Sequence, residues 1–190
     1  MFRNILEWPH PKLRNPSESV DDFSSVQGVV GDLIDTLNVA GGVGLAAPQI
    51  GVSKKVFVVN FGSLPYKTIS PSEKDASYGV FINPTLVCSG PTKKCQEACL
   101  SVPFVSAMTP RSMETHITWN DEAGEKHETI LTGYLAQIFQ HENDHLDGKI
   151  YLQRLSPFMR TRLMEKVRKK RKKILREEKR KERANDAFRS

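Results

Sequence analysis

The chain has 190 residues, 38% of them hydrophobic and 26% charged, which fits one globular domain and excludes a disordered chain, a collagen and a coiled-coil rod. Its net charge of +6 is unevenly distributed, because residues 1–153 carry 12 Lys and Arg against 17 Asp and Glu, whereas residues 154–183 carry 15 against 4. We therefore predict an acidic body, residues 1–153, that performs its own chemistry, and a basic helical extension, residues 154–190.

The N-terminal segment, MFRNILEWPHPKLRNP, is interrupted by proline and charge before any apolar stretch develops, and it is not typical of a signal peptide. No segment of the sequence is apolar over the length that a membrane span needs, so we expect no membrane contact. The three cysteines, Cys88, Cys95 and Cys99, are an odd number in a chain large enough to fold without disulfides. We therefore expect a cytoplasmic protein whose thiols are available for metal binding or catalysis.

The first half of the chain predicts one helix and several short strands. Apolar residues recur at helical spacing over residues 24–39, and Gly41-Gly42 follows as a stop. Residues 55–61 are β-branched and apolar, as in a buried strand, and residues 62–78 have the composition of an exposed loop. Further strands are predicted at residues 80–83, 85–88, 114–119 and 126–131, the last two joined in a hairpin by a turn at residues 121–124.

Two more helices are predicted in the second half. One runs from about residue 132 to residue 146, and the other begins at Ser156-Pro157, where serine suits the N-cap and proline the first helical position. The terminal helix has an apolar stripe, Met159, Leu163 and Val167, only in its first half, so its beginning can pack on the body while the remainder projects into solvent. These elements predict an α+β fold in which short, mostly antiparallel strands pack around a central helix, with a C-terminal helix added.

The central helix carries the strongest local motif, His141-Glu142-Asn143-Asp144-His145. Residues four apart lie on one face of a helix, so both imidazoles can bind a single metal ion. Glu142 follows the first histidine directly and can take a proton from a water that the metal activates. The motif therefore indicates a catalytic metal site.

A third ligand is needed, and the sequence offers three solutions. Glu165, twenty residues after His145, would complete a site of the thermolysin type, although it lies among basic residues that favour a charge pair instead. Cys95 and Cys99 together would close a structural zinc site and leave no position for a substrate. One cysteine alone would leave a coordination position open for water.

Three segments, in this order, resemble the motifs of peptide deformylase. Residues 42–49 (GVGLAAPQ) are similar to its GxGLAAxQ motif, residues 97–101 (EACLS) to its EGCLS motif, and residues 140–148 (QHENDHLDG) to its HExxH motif. The resemblance extends over residues 3–165 and is closest to the bacterial type with a basic C-terminal helix. It implies an enzyme that uses a metal ion to hydrolyse the N-formyl group from the N-terminal formyl-methionine of nascent polypeptides, releasing formate.

The resemblance also implies a role for each matching residue. Cys99 would be the third metal ligand beside His141 and His145. Glu142 would act as general base towards the attacking water and then as general acid towards the leaving amine. The side-chain amide of Gln49 and the backbone N–H of Leu100 would stabilise the negative charge that develops on the formyl oxygen.

Six further residues are expected to bind the substrate. Val43 and Gly44 would approach and pair with the main chain of the peptide, and Arg111, which follows the second motif, would contact it as well. The remaining three lie one and two turns before the first histidine, on the same helix face, and would line the pocket for the methionine side chain: Tyr134, Gln137 and Ile138.

Three departures from the family pattern concern the second motif and the substrate cleft. Gln137 is more polar than a methionine pocket requires, so we hypothesise that specificity for the first side chain is relaxed or altered. Ala98 replaces the usual glycine of the second motif, which requires that residue 98 have a negative φ. Phe104 is larger than the glycine or glutamate common at its position and is expected to wall the substrate cleft.

Two imidazoles and one thiolate suit zinc, iron, nickel and cobalt alike, and the resemblance implies Fe(II) in vivo, with zinc, nickel or cobalt possible in preparations. It further implies that residues 157–183 attach to the ribosome near the exit tunnel, through phosphate contacts that make the attachment salt-dependent. A monomer is the simplest expectation. Two other hypotheses remain open: an endopeptidase with Glu165 as ligand, and a zinc-stapled nucleic-acid-binding protein that uses Cys95 as well as Cys99.

Overall fold

One antiparallel sheet carries the fold, and its strands lie side by side in chain order. The strands span Gly44–Ala46 (β1), Val56–Asn60 (β2), Tyr78–Cys99 (β3), Val102–Asn120 (β4) and Lys126–Thr132 (β5), and the helices span Gln27–Ala40 (α1), Gly133–Leu146 (α2) and Pro157–Arg189 (α3). This computed structural model describes the backbone of residues 1–64 and 77–189, and side chains up to residue 182. Among the helices it describes, none combines the length and apolar character of a membrane span. The predicted α+β class is confirmed.

Strands β3 and β4 are much longer than predicted, at 22 and 19 residues, and form one long hairpin. The prediction of separate short strands at residues 80–83 and 85–88 is therefore wrong, since both lie in β3. Pro84 and Pro91 fall at two shifts in the β3–β4 register. A proline has no N–H for the ladder and is tolerated where a bulge interrupts the pairing, so the strand continues past each of them.

The predicted helix and hairpin boundaries are confirmed to within a few residues. Helix α1 ends where Gly41 adopts a left-handed φ of 70° and donates its N–H to the Leu37 carbonyl at 2.9 Å. The β4–β5 hairpin closes through a bond from the Asp121 N–H to the Glu125 carbonyl at 3.0 Å. Of the loop predicted at residues 62–78, residues 65–76 lie outside the described part of the chain.

Helix α2 is held in place by an aromatic core on one face of the sheet. Phe139 packs edge-on against Phe81 and Phe57, with ring centroids 4.6 and 5.4 Å apart, and all three side chains are buried. Helix α1 covers a second apolar cluster, to which β1 contributes Leu45 and β2 contributes Val56 and Val58. With its apolar side fixed, α2 presents its polar residues to the ends of β1 and β3.

Helix α3 buries apolar side chains on the body through its first turns, as predicted, and Arg171 further along the helix adds an ion pair with Glu7. Leu163 and Val167 are buried beside Tyr151 and Val102, whereas Met159 is exposed and does not contribute to this contact. Ser156 caps the helix, since its hydroxyl accepts a hydrogen bond from the Met159 N–H at 3.4 Å. The packing continues to Val167, so the boundary at residue 153 marks a change in charge and not the end of the packed structure.

Candidate active site

A cleft of about 560 Å³ opens between β1, the end of β3 and helix α2. Ten of the twelve site residues predicted from the sequence line it: Val43, Gly44, Gln49, Cys99, Leu100, Tyr134, Gln137, Ile138, His141 and Glu142. His145 lies behind this wall and is buried. The three motif segments therefore meet in one cleft, although they lie up to almost a hundred residues apart in the sequence.

Three side chains at the floor of the cleft can hold one metal ion. Cys99 ends strand β3, and His141 and His145 lie one turn apart on α2; their ligand atoms all lie within 4.8 Å of one another. The Cys99 Sγ and His145 Nε2 atoms are 3.2 Å apart. Three buried soft and borderline donors on one side of an open cleft suit a catalytic ion with a free position, of the zinc or iron type.

The two alternative third ligands do not join this group. Cys95 has its Sγ atom 3.8 Å from the Lys93 backbone carbonyl, and Glu165 is exposed on α3. The Cys99 thiol is moreover suited to metal binding. Burial alone would raise its pKa, but the adjacent imidazoles of His145 and His141 lower that pKa to about 5 and favour the thiolate.

Glu142 lies beside the metal ligands and is buried. It is 4% exposed, and its Oε2 atom has no hydrogen-bond partner among the described residues. Burial raises the pKa of Glu142 to about 7, against the opposing effect of the imidazoles of His141 and His145. A carboxyl with a pKa near neutrality can both accept and return a proton.

Gly44 leaves the space that Glu142 occupies. A Cβ atom at residue 44 would lie 2.5 Å from the Glu142 Oε1 atom and 2.8 Å from its Cδ atom, closer than nonbonded atoms approach. The glycine of the first motif is therefore needed for the position of the acid on α2.

The Gln49 amide is oriented by its neighbours. Its Oε1 atom accepts a hydrogen bond from the Ala46 N–H at 2.8 Å, so its NH₂ group is directed to the Ser101 hydroxyl at 3.2 Å and the Cys99 sulfur at 3.7 Å. This amide group is buried and has its donor side beside the metal ligands. It can donate to an oxygen atom that gains negative charge in the cleft.

The prediction that Arg111 binds substrate is wrong. Its side chain has no exposed surface, because it is enclosed in ion pairs with Glu97 and Asp144. Glu97 in turn accepts a hydrogen bond from the His141 Nδ1 atom at 2.8 Å and orients that ring. Sequence reasoning assigned Glu97 no role although it begins the second motif, and no local pattern indicated its partners.

The three departures from the family pattern have different outcomes. Ala98 lies within the extended strand β3, as its methyl group requires. Phe104 has a positive φ of 73°, is exposed and does not line the cleft, so the expectation that it walls the cleft is wrong. Gln137 lines the cleft together with Tyr134 and Ile138, and its Nε2 atom donates to the Gln96 backbone carbonyl at 2.9 Å.

An HExxH helix, a strand-end cysteine and a buried acid beside an open cleft define a metal-dependent hydrolase. Comparisons with known proteins specify the family: the profile described as polypeptide deformylase matches residues 2–161. A peptide deformylase of Rhizorhabdus wittichii is 39% identical, over 90% of this chain and 96% of its own length. The crystal structure of a peptide deformylase from Legionella pneumophila has a TM-score of 0.81 and 34% identity, over 93% of this chain and 99% of that one. One from Thermus thermophilus has a TM-score of 0.76 and 33% identity, over 88% and 94%.

The chain belongs to the polypeptide deformylase family. It is an enzyme of protein biosynthesis that removes the N-formyl group from nascent polypeptides.

Proposed function

We propose that Cys99, His141 and His145 hold one divalent metal ion, Fe(II) in vivo, which zinc, nickel or cobalt can replace in preparations. When bound, the ion supplies Lewis-acid polarisation of the formyl carbonyl and makes the attacking water more acidic. The observation that carries this proposal is the three-donor group at the floor of the cleft, directly beside the buried carboxyl of Glu142.

Different residues of the protein transfer the proton and stabilise the negative charge on the formyl oxygen. Glu142 takes the proton of the attacking water and returns it to the amine nitrogen as the C–N bond of the formamide breaks, which leaves formate and a free N-terminus. The Gln49 Nε2 group and the Leu100 backbone N–H donate hydrogen bonds to the formyl oxygen as it gains negative charge. Preorganised donors of this kind are worth about 3 kcal/mol each in other enzymes.

We further propose that the peptide lies along the cleft in an extended conformation. Its main chain pairs with the backbone of Val43 and Gly44, and its first side chain enters between Tyr134, Gln137 and Ile138. Recognition through the main chain accepts any sequence after the first residue.

The release of formate from a formylated tripeptide, by protein loaded with Fe(II) or Ni(II) under reducing conditions, tests this proposal. We expect turnover with the formylated peptide and none with the same peptide carrying an acetyl group. C95S and E165Q should keep both metal and activity, because neither side chain is part of the proposed site. Loss of metal from either variant, or no formate release at all, would contradict the proposal.

The polar side chain of Gln137 should relax the preference for methionine. Its NH₂ group is bound to the Gln96 carbonyl, and its amide lines the cleft. An apolar side chain buried against this amide displaces water without replacing its hydrogen bond. Such a loss costs about 1.4 kcal/mol, or a factor of ten. We expect kcat/KM for formyl-Met, formyl-Leu and formyl-Ala peptides to agree within about tenfold, and Q137I to raise the formyl-Met preference by about tenfold.

The matched control is Q27I, the same change at an exposed position of α1, which should leave the ratios unchanged. A wild-type enzyme that prefers formyl-Met by several hundredfold would contradict the hypothesis.

We propose that the basic helix, residues 157–183, attaches the enzyme to the ribosome near the exit tunnel. Support comes from exposed cations on successive turns beyond the packed part of α3, while the body is acidic. Arg and Lys on one helix suit RNA phosphates. Attachment there would bring the cleft to chains as they emerge. We also propose that the protein is a cytoplasmic monomer.

Neutralising the extension should separate attachment from catalysis. We expect the full-length chain with Lys169, Lys172, Lys173 and Arg176 changed to glutamine to lose co-sedimentation with ribosomes at low salt, because fewer phosphate contacts remain. Its activity on a short peptide should stay within about twofold of wild type, since the cleft lies in the body. The control neutralises four exposed lysines of the body: Lys93, Lys94, Lys126 and Lys149. Equal co-sedimentation of both variants would refute the attachment.

A further inference from the structure

We propose that Arg154, whose side chain is 37% exposed, is a positioning residue for the metal ligand His141, through the buried ion pairs of Asp144, Arg111 and Glu97. The inference rests on the proposed function, because it assigns His141 to the metal. Arg154 ends the 3₁₀ turn Tyr151–Arg154, shortly before α3 begins at Pro157, and it donates hydrogen bonds to Asp144, which is not a metal ligand.

The first link of the chain joins Arg154 to Asp144 on α2. The Arg154 guanidinium donates from Nε to the Asp144 Oδ2 atom at 2.7 Å and from Nη2 to Oδ1 at 2.6 Å, which is a bidentate pair. Asp144 is 4% exposed, so its charge depends on these donors and not on water. It has one further cationic donor, the Nη1 group of Arg111 at 2.7 Å.

The second link is Arg111, whose guanidinium is divided between two carboxylates. Its Nε and Nη2 groups donate to Glu97 at 2.5 and 2.9 Å, while Nη1 remains with Asp144. Glu97 completes the chain by accepting a hydrogen bond from the His141 Nδ1 atom at 2.8 Å. A histidine that donates from Nδ1 presents its Nε2 lone pair to a metal, in a fixed ring orientation.

The charges of this chain balance only when Arg154 is included. Glu97 and Asp144 are two buried carboxylates, and Arg111 and Arg154 are the two guanidinium groups that neutralise them. Without Arg154, the single cation Arg111 would have to serve both acids, and Asp144 would draw it away from Glu97. The hydrogen bond by which Glu97 orients the His141 ring would weaken, although no residue that contacts the ion had changed.

This arrangement gives the junction between the body and the basic helix a role at the metal. The residue that ends the last turn before α3 also completes the charge balance behind His141. The chemistry of the site therefore depends on a residue outside all three motifs.

The test compares Co(II)-loaded wild-type protein with R154M, R154K and R162M. We measure release of Co(II) to an excess of a chelating dye and the visible absorption bands of the bound ion. R154M should release the ion about tenfold faster and shift the absorption bands, as loss of an outer hydrogen-bond partner does elsewhere. R154K keeps the charge without the bidentate fork and should fall between R154M and wild type. R162M, an exposed arginine on α3 with no role in the chain of ion pairs, should match wild type.

Equal release rates and spectra for R154M and wild type would overturn the proposal. So would an R154M protein whose circular dichroism shows a loss of folded protein that fully accounts for its loss of cobalt, since that describes a structural role only. If R154M does not fold, R154K decides, because a wild-type rate and spectrum for R154K would overturn the assignment of a bidentate positioning role. Failure of the proposed function has a different signature, namely that wild-type protein binds cobalt but releases no formate from any formylated peptide.

Discussion

The substitution E142Q is expected to lower kcat/KM for a formylated peptide by about 10³-fold while leaving metal content and KM nearly unchanged. Glutamine has the same shape as glutamate but cannot accept the proton of the attacking water. Because Glu142 is buried beside the ligands and not among them, the ion should stay bound. The control is E165Q, which changes an exposed acid of α3 and should retain full activity. An E142Q enzyme with a tenth or more of wild-type activity would show that another group moves the proton.

The same variant should be more stable than wild type in the metal-free form at high pH. Burial raises the pKa of Glu142 from 4.5 to about 7, so the folded protein favours the neutral acid. The stability that this group contributes is complete below pH 4.5 and is lost as the pH rises through about 7. The E142Q variant does not lose this stability, because glutamine does not ionise. At pH 8 its free energy of unfolding should exceed that of wild type by at most about 3 kcal/mol. Thermal unfolding at pH 4.5 and pH 8 measures it: the difference between the variants should appear only at pH 8.

The substitution G44A should reduce kcat/KM by about 10²-fold without removing the metal. The added methyl would lie 2.5 Å from the Glu142 Oε1 atom, and the flexible end of that side chain can move away from it. The cost should therefore appear in the placement of the catalytic carboxyl, where a displacement of about 1 Å is enough for a loss of this size. Thermal stability should change little in comparison.

The matched control is G31A on helix α1, where a Cβ atom meets nothing within 4 Å. That change should keep full activity and stabilise the protein by about 0.5–1 kcal/mol, as alanine does in a helix interior. Equal activity of G44A and wild type would show that Glu142 can act from a different position. A loss of metal in G44A would show instead that the ligands themselves had moved.

The parts of the site that follow local rules could be predicted from the sequence. Two histidines four residues apart on a helix must share a face, and that face does meet a third donor. Spacing alone left Cys95, Cys99 and Glu165 open as that donor, and only the resemblance of residues 97–101 indicated Cys99. The choice depends on where strand β3 ends, which is a property of the sheet and not of the motif.

The parts that depend on contacts across the fold could not be predicted. Arg111 reaches Glu97 across the β3–β4 pair and Asp144 on α2, so a strand arginine that looked available for substrate is fully enclosed. The same limitation applies to the long hairpin. Pro84 and Pro91 indicate breaks when each stretch is considered alone, whereas the pairing of β3 with β4 continues through both as irregularities of register.

The unequal lengths of β2 and β3 have a consequence for the range of peptide sequences that the enzyme can accept. Strand β2 pairs with β3 only from Tyr78 to Ile82, so the end of β3 that reaches the cleft has β4 on one side and no strand on the other within the described residues. Since strand residues alternate, Ala98 directs its backbone groups to the same edge as Gln96, whose carbonyl already accepts a hydrogen bond from the Gln137 amide. An open strand edge of this kind can form hydrogen bonds with main-chain N–H and C=O groups, which every polypeptide has. One enzyme can therefore act on nascent chains of many different sequences.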